Sequence, residues 1–249
     1  MTQPYFSFDS VHPSWHHCLS LALGQMEGAY LEKLASTESW LPGPEKIFNA
    51  FSLPVSKVNY LLLGESPYPR AASANGFAFW DEAVTALWSP QGLSKKLNRA
   101  TSLRNFIKML LVAEGLLKPP HYNQSDIAHL DKSPLVQTNA AFFSQLREQG
   151  FLLLNASLVL HPQASKQNQV RKDALAWQPF MKQVIDFLLN HRPALQFLLF
   201  GKVAKVIEKL LPPTPVKKLC AEHPYNCSFI TNPSVLQFFR PLHLLRNSG

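Results

Sequence analysis

Four short apolar runs, each closed by glycine or polar residues and separated by stretches of helical spacing, constrain this chain more than any other feature. They occupy residues 58–63, followed by Gly64; 151–154, followed by Asn155; 195–200, followed by Gly201; and 216–221, followed by Glu222-His223. A membrane-spanning helix needs about 20 apolar residues, so these runs are of strand length. Between them, residues 103–114 and 174–190 place apolar side chains at helical spacing, the second with Asp173 as its expected N-cap. Residues 15–34 read as an N-terminal helix loosened by Gly24 and Gly28, and residues 40–44 and 119–134 as loops. Strands apolar on both faces and alternating with helices predict an α/β fold: three layers, α/β/α, with a central, mostly parallel four-stranded sheet. A length of 249 residues predicts one domain spanning 1–249.

In open parallel sheets, ligands bind beyond the carboxyl ends of the strands. Here those ends read Gly64-Glu65-Ser66-Pro67-Tyr68, Asn155-Ala156-Ser157, Gly201-Lys202 and Glu222-His223-Pro224, so chemistry is expected there. Charge narrows the partner. Lys and Arg number 24 against 16 Asp and Glu, and residues 51–249 carry 22 of the basic side chains but only 11 of the acidic ones. Such a field favours a polyanion or an anionic surface. Cys18, Cys220 and Cys227 form no CxxC pair, which argues against a zinc or iron–sulfur site and for a reducing compartment. Met1-Thr2-Gln3-Pro4-Tyr5 lacks the basic-then-apolar pattern of a secretion signal. The expectation is a cytoplasmic protein without membrane contact.

The first exit has the outline of the nucleophile elbow G-x-S-x-G, with His223 as its base. Two residues argue against that reading. Tyr68 stands where the closing glycine belongs, and Pro67 lacks the N–H that the oxyanion hole takes from the residue after the serine.

Six fragments in order match a different pattern. Gly64-Glu65-Ser66-Pro67-Tyr68-Pro69 is similar to G-Q-D-P-Y-H, and Ala74-Asn75-Gly76-Phe77-Ala78-Phe79 to A-H-G-L-x-F. Ser102-Leu103-Arg104-Asn105 is similar to S-L-x-N, Leu152-Leu153-Leu154-Asn155 to L-L-L-N, and Leu199-Phe200-Gly201 to L-W-G. His223-Pro224 opens a version of H-P-S-P-L-S, and Pro13-Ser14-Trp15 and Trp177-Gln178-Pro179-Phe180 are weaker echoes. Over most of its length the chain therefore resembles the uracil-DNA glycosylase superfamily. That resemblance implies a monofunctional, monomeric enzyme without cofactor or metal. It would hydrolyse the N-glycosidic bond of a base flipped out of single-stranded or duplex DNA.

Residue by residue, the resemblance implies that Asn155 pairs with the pyrimidine edge, because a side-chain amide both donates and accepts. Phe79 would stack on the base, and Tyr68 would exclude a thymine methyl by steric overlap. His223 would donate to the base oxygen as negative charge develops there. Each has a plainer alternative: a turn cap, a core aromatic, a packed loop tyrosine, a loop histidine. The candidate phosphate grip is Ser102 and Arg104, with Lys95, Lys96 and Arg99 nearby, together with Lys166, Arg171 and Lys172. Pro224, Tyr225, Cys227 and Ser228 belong to the loop that enters the DNA.

The departures carry as much weight. The family's water-orienting Asp is Ser66 here, which cannot bear the negative charge, while Glu65 stands where the family has glutamine. An iron–sulfur branch of the superfamily has G-E-A-P in this motif, but this chain lacks that branch's cysteines. Glu65 is therefore the candidate water-positioning base, with Ser66 and His223 beside it; the alternative for Glu65 is an ion pair with a nearby Arg or Lys, such as Arg70. Cys227 replaces the leucine wedge, Tyr225 is the other residue able to intercalate, and Pro69 and Asn75 replace two family histidines. Two functions remain open: a glycosylase of atypical activity, or a degenerate relative that binds DNA or a flipped base without excision. Arg240, His243 and Arg246 read as a basic tail.

Overall fold

Side-chain alternation along three leucine-rich strands creates two cores, one on each face of a sheet. The computed structural model describes residues 6–37, 39–162 and 166–247, the last span without the side chains of 166–170. Met1 to Tyr5 lie outside the described residues. The four apolar runs become β1 (Tyr60–Gly64), β2 (Phe151–Asn155), β3 (Gln196–Phe200) and β4 (Lys217–Ala221). Their order across the sheet is β2-β1-β3-β4, and every neighbouring pair is parallel.

Leu61, Leu63, Leu152, Leu154, Phe197 and Leu199 enter one core, against Trp15, Leu19, Trp177, Phe180 and Ile185. Leu62, Phe151, Leu153, Leu198 and Phe200 enter the other, against Leu103, Phe106, Phe142, Phe143 and Phe239. Burying one such side chain is worth about 1.5–3 kcal/mol, so β1, β2 and β3 dominate the fold. β4 departs from the expectation of two apolar faces, because Lys217, Lys218 and Cys220 are exposed. It is an edge strand, and edge lysines discourage pairing with another sheet.

The helices Thr101–Ala113 and Asn139–Glu148 carry the chain from β1 to β2 across the second core. Gln178–His191 and Val203–Glu208 serve the later crossovers on the first core. The chain thus leaves β1 toward one side of the sheet and β3 toward the other. That reversal puts the topological switch point at the carboxyl ends of these two strands.

Three expectations for the connections are corrected. The N-terminal helix is two helices, His16–Gly24 and Gly28–Ala35. Residues 174–190 are not one helix capped by Asp173: Lys166–Ala176 ends, and Gln178–His191 begins with Pro179 in its first turn. Proline tolerates a first turn but clashes inside a continuous helix, which explains the break. Asp173 is buried within the earlier helix, where it accepts from the Tyr30 hydroxyl (3.0 Å) and pairs with His161 Nδ1 (2.9 Å). The 119–134 loop contains a short helix, Gln124–Ala128, started by a capping box between Asn123 and Asp126. Nor do Arg240 and Arg246 form a free tail: Arg240 Nε donates to the Ala113 carbonyl (3.3 Å), and Arg246 approaches Glu114. Among the described residues no helix is long and apolar enough to cross a membrane.

Candidate active site

A pocket of about 210 Å³ opens at the carboxyl end of β1, lined by Glu65, Ser66, Tyr68, Phe79, Ser102, Asn155 and His223 among others. Its floor depends on a missing side chain. Gly64 pairs with Asn155 across the ladder, and a Cβ on Gly64 would overlap Asn155 Oδ1 and lie 3.0 Å from Ala78 Cβ. Glycine therefore lets the Asn155 amide lie over the end of β1. Asn155 is only 3% exposed, yet among the described residues its side chain makes no hydrogen bond. The amide borders the open pocket, so its donor and acceptor are both available to a ligand with a complementary edge.

Phe79 faces the same space in a sparsely populated backbone conformation, φ +63°, which costs a non-glycine residue about 1–3 kcal/mol. Neighbours hold it there. The Tyr68 hydroxyl donates to the Phe79 carbonyl (3.1 Å), and the N–H of Ala78 donates to Leu153 O (3.0 Å). The Phe79 ring lies 6.0 Å from His223, nearly parallel to it, and 6.4 Å from Phe106. Asn75, one of the replacements for a family histidine, is built into this loop: its Oδ1 accepts from Phe77 N–H (3.1 Å). Burial raises the Tyr68 phenol pKa far above its ordinary value, the Asp81 carboxylate adds to this, and Arg70 partly offsets it.

Glu65 is exposed at the rim, Ser66 half-buried and Pro67 buried. The carbonyls of Gly64 and Glu65 accept from the N–H groups of Ala156 (2.8 Å) and Ser157 (3.0 Å), which ties this loop to the β2 exit. The proposed Glu65–Arg70 pair does not form: Arg70 reaches the buried Asp81 instead (3.1 Å). Among the described residues, the Glu65 carboxylate has no hydrogen bond or ion pair.

His223 arrives from the β4 exit through a gap left by another glycine. Gly201 has φ +76°, and a Cβ there would stand 2.7 Å from His223 Cβ. The N–H of Tyr225 donates to His223 Nδ1 (3.1 Å). Nδ1 is therefore the acceptor nitrogen, and the proton of the neutral ring sits on Nε2. Burial pulls the imidazole pKa below its ordinary value, while the negative charge of Glu65 pulls it partly back.

The loop beyond His223 is clamped at both ends. Asn105, buried in the helix Thr101–Ala113, donates through Nδ2 to the carbonyls of Pro224 (2.8 Å) and Tyr225 (3.3 Å). Burial pushes the Glu222 carboxyl pKa up, but hydrogen bonds from its own backbone N–H, Ser228 and Asn232 outweigh this and hold it low. Pro224 is buried; Cys227 and Ser228 are exposed, and Tyr225 is 66% exposed. Ser228 thus already serves a carboxylate of its own chain.

Ser102 is the second residue of the helix Thr101–Ala113 and borders the pocket. Arg104 is half-buried and turned partly onto the protein, with Nε on Asn105 Oδ1 (3.2 Å) and an Nη on Asn98 O (3.0 Å). Lys95, Lys96, Arg99, Arg171 and Lys172 are exposed. Lys166 opens a helix, but its side chain lies outside the described residues. Among the described residues no group of three His, Cys, Asp or Glu could hold a metal ion. Sequence reasoning gave no role to Asn105 or Gly201; their only signals are their places in S-L-x-N and L-W-G.

No protein-family model matches the chain. It is 28% identical to the uracil-DNA glycosylase of Corynebacterium glutamicum over 223 residues, covering 86% of this chain and 80% of that protein. The uracil-DNA glycosylase of Pseudomonas fluorescens SBW25 matches equally, 28% over 225 residues with the same coverage. The crystal structure of wild-type UNG from Nitratifractor salsuginis superposes with a TM-score of 0.91 at 36% identity, covering 99% of this chain and all of that one. The mimivirus uracil-DNA glycosylase shares the fold, with a TM-score of 0.57 at 19% identity.

Proposed function

The chain belongs to the uracil-DNA glycosylase superfamily, and from that premise we propose that it hydrolyses the N-glycosidic bond of uracil, or a related damaged base, in DNA. One observation carries the reading: Asn155, Phe79, Tyr68, His223 and Glu65 converge on one pocket at the switch point of the sheet. Its volume, about 210 Å³, is below the roughly 300–1,000 Å³ of sites that hold drug-sized ligands, and it suits a single base.

A base inside the stack is unreachable, so the nucleotide turns out of the strand at a cost of a few kcal/mol, least in single-stranded DNA. Phe79 stacks on the base, and the unpaired Asn155 amide reads its edge. Tyr68 fills the space a thymine methyl would need. As the bond between C1′ and the base nitrogen breaks, its electron pair moves onto the base and the sugar becomes cationic. The Nε2–H of neutral His223 donates to the base oxygen that gains this charge. Glu65 orients a water toward C1′ and accepts its proton as the C–O bond forms. Ser66 contributes a hydroxyl but no charge.

Two cores drawing on residues from Val11 to Leu245 support a single domain, and the reading takes the protein as a cytoplasmic monomer. The exposed basic side chains beside the helix Thr101–Ala113 supply its attraction to DNA phosphates.

The test is release of uracil from a single-stranded oligonucleotide, scored by alkali cleavage at the abasic site. Wild type is expected to cleave, and Glu65→Gln and Asn155→Ala each to slow it. DNA binding without release of uracil or any common damaged base, at enzyme excess, would overturn the reading in favour of a base-binding protein.

A further inference from the structure

Asn105 is 1% exposed and makes polar contacts on both sides of its amide. Its Oδ1 accepts from Arg104 Nε (3.2 Å), and its Nδ2 donates to the Pro224 carbonyl (2.8 Å). That carbonyl belongs to the peptide unit whose N–H, on Tyr225, donates to His223 Nδ1 (3.1 Å). One planar peptide therefore joins Asn105 to His223. All three hydrogen bonds run in the same direction, from the guanidinium through the amide and the peptide to the ring. Bonds aligned in series polarise one another, and the middle one, from Asn105 to Pro224, is buried, where a lower dielectric strengthens it.

The geometry points to Asn105 as the positioning residue of the reaction: by fixing the Pro224–Tyr225 peptide it sets the orientation and tautomer of His223. Arg104 orients the Asn105 amide, so contact with a DNA phosphate at Arg104 is coupled to the donor that meets the base. The amide can face only one way. Reversed, it would set its oxygen against the Pro224 carbonyl and its NH₂ against the guanidinium. The inference rests on the reading of His223 as donor to the base oxygen, but its structural half can be tested without turnover.

The experiment pairs kinetics with nitrogen-detected NMR of the His223 ring, on the full chain. Asn105→Asp keeps the shape and removes both donors; Asn105→Ala removes the amide. Both are expected to lower kcat by up to about 100-fold, the scale on which a misplaced catalytic group costs rate, with KM for DNA little changed. In both, the His223 signals should change from a single Nε2–H tautomer to a mixture. Should neither fold, Arg104→Ala, which leaves no buried cavity, is expected to move the same signals in the same direction. A residue that merely supports the fold would lower Tm and leave His223 unchanged. An unchanged His223 tautomer in every folded variant overturns the inference, as does an unchanged kcat in Asn105→Asp. If wild type excises nothing while His223 still responds to Asn105→Asp, the positioning stands and the proposed function fails.

Discussion

The hydroxyl of Tyr68 donates to the carbonyl of Phe79 at 3.1 Å, so the residue proposed to exclude a methyl group also holds the residue proposed to stack on the base. The bond matters because Phe79 sits at φ +63°, where it must be held. Tyr68→Phe keeps the ring and loses a hydrogen bond worth about 0.5–1.5 kcal/mol. It should slow uracil release by about 2- to 10-fold and still reject thymine. Tyr68→Ala opens the space and should give measurable thymine release. Single-turnover assays on the two bases check both, and thymine release by Tyr68→Phe would count against steric exclusion.

Gly64→Ala should act through Asn155. The added Cβ takes the place of the amide oxygen, so the rate should fall by about 10²–10³, the cost of losing one aimed polar group. Overpacking should also lower stability, by about 1–3 kcal/mol. If displacement of the amide is the whole kinetic effect, adding Asn155→Ala to Gly64→Ala should cost nothing further. Additive losses would mean that Gly64 acts in another way.

How much of this was legible in the sequence depended on how local the physics was. Strands β1, β2 and β3 could be read within about two residues because burial on both faces leaves an unbroken apolar run. β4 misled in character, because Lys217, Lys218 and Cys220 face solvent where a second apolar face was expected. Pro179 split a helix whose apolar spacing continues straight through it. Glu65, Asn155 and His223 could be placed at strand exits from the apolar runs alone, whereas Phe79, Ser102 and Arg104 are singled out only by their motifs. What holds them could not. Asn105 meets Pro224 119 residues later in the chain, Gly64 makes room for Asn155, and Arg70 prefers the buried Asp81 to Glu65, which is nearer in sequence. Such choices are set by folded distance, which no local pattern records.

Glu65→Gln should move the acid limb of the pH profile as well as lower its plateau. Burial depresses the His223 pKa, and the Glu65 charge partly restores it. Removing that charge lets the pKa fall further, so the neutral Nε2–H donor survives to lower pH. The acid limb of kcat/KM, which reports the free enzyme, should shift to lower pH than in wild type. A limb that stays put or moves upward would separate Glu65 from His223 in function.

Glu114 should make the protein less stable as pH rises. Its side chain is fully buried; Oε1 accepts from Leu245 N–H (2.9 Å), Oε2 has no hydrogen-bond partner, and Arg246 Nε stays 3.9 Å away. Burial pushes the carboxyl pKa up, and the Leu245 N–H, His243 and Arg246 only partly counter it. With the folded pKa above the unfolded one, about 4.3, the native state binds the proton more tightly. Its stabilising contribution is complete below the unfolded pKa and is lost as pH rises through the raised folded value. Glu114→Gln keeps the acceptor for Leu245 and removes the titration. Urea unfolding at acid and at neutral pH should therefore show a smaller loss of stability with rising pH in Glu114→Gln than in wild type. The variant should be the more stable of the two at neutral pH. An equal pH dependence in the two proteins would mean that Glu114 keeps its charge in the fold, with Arg246 close enough in solution to pair with it.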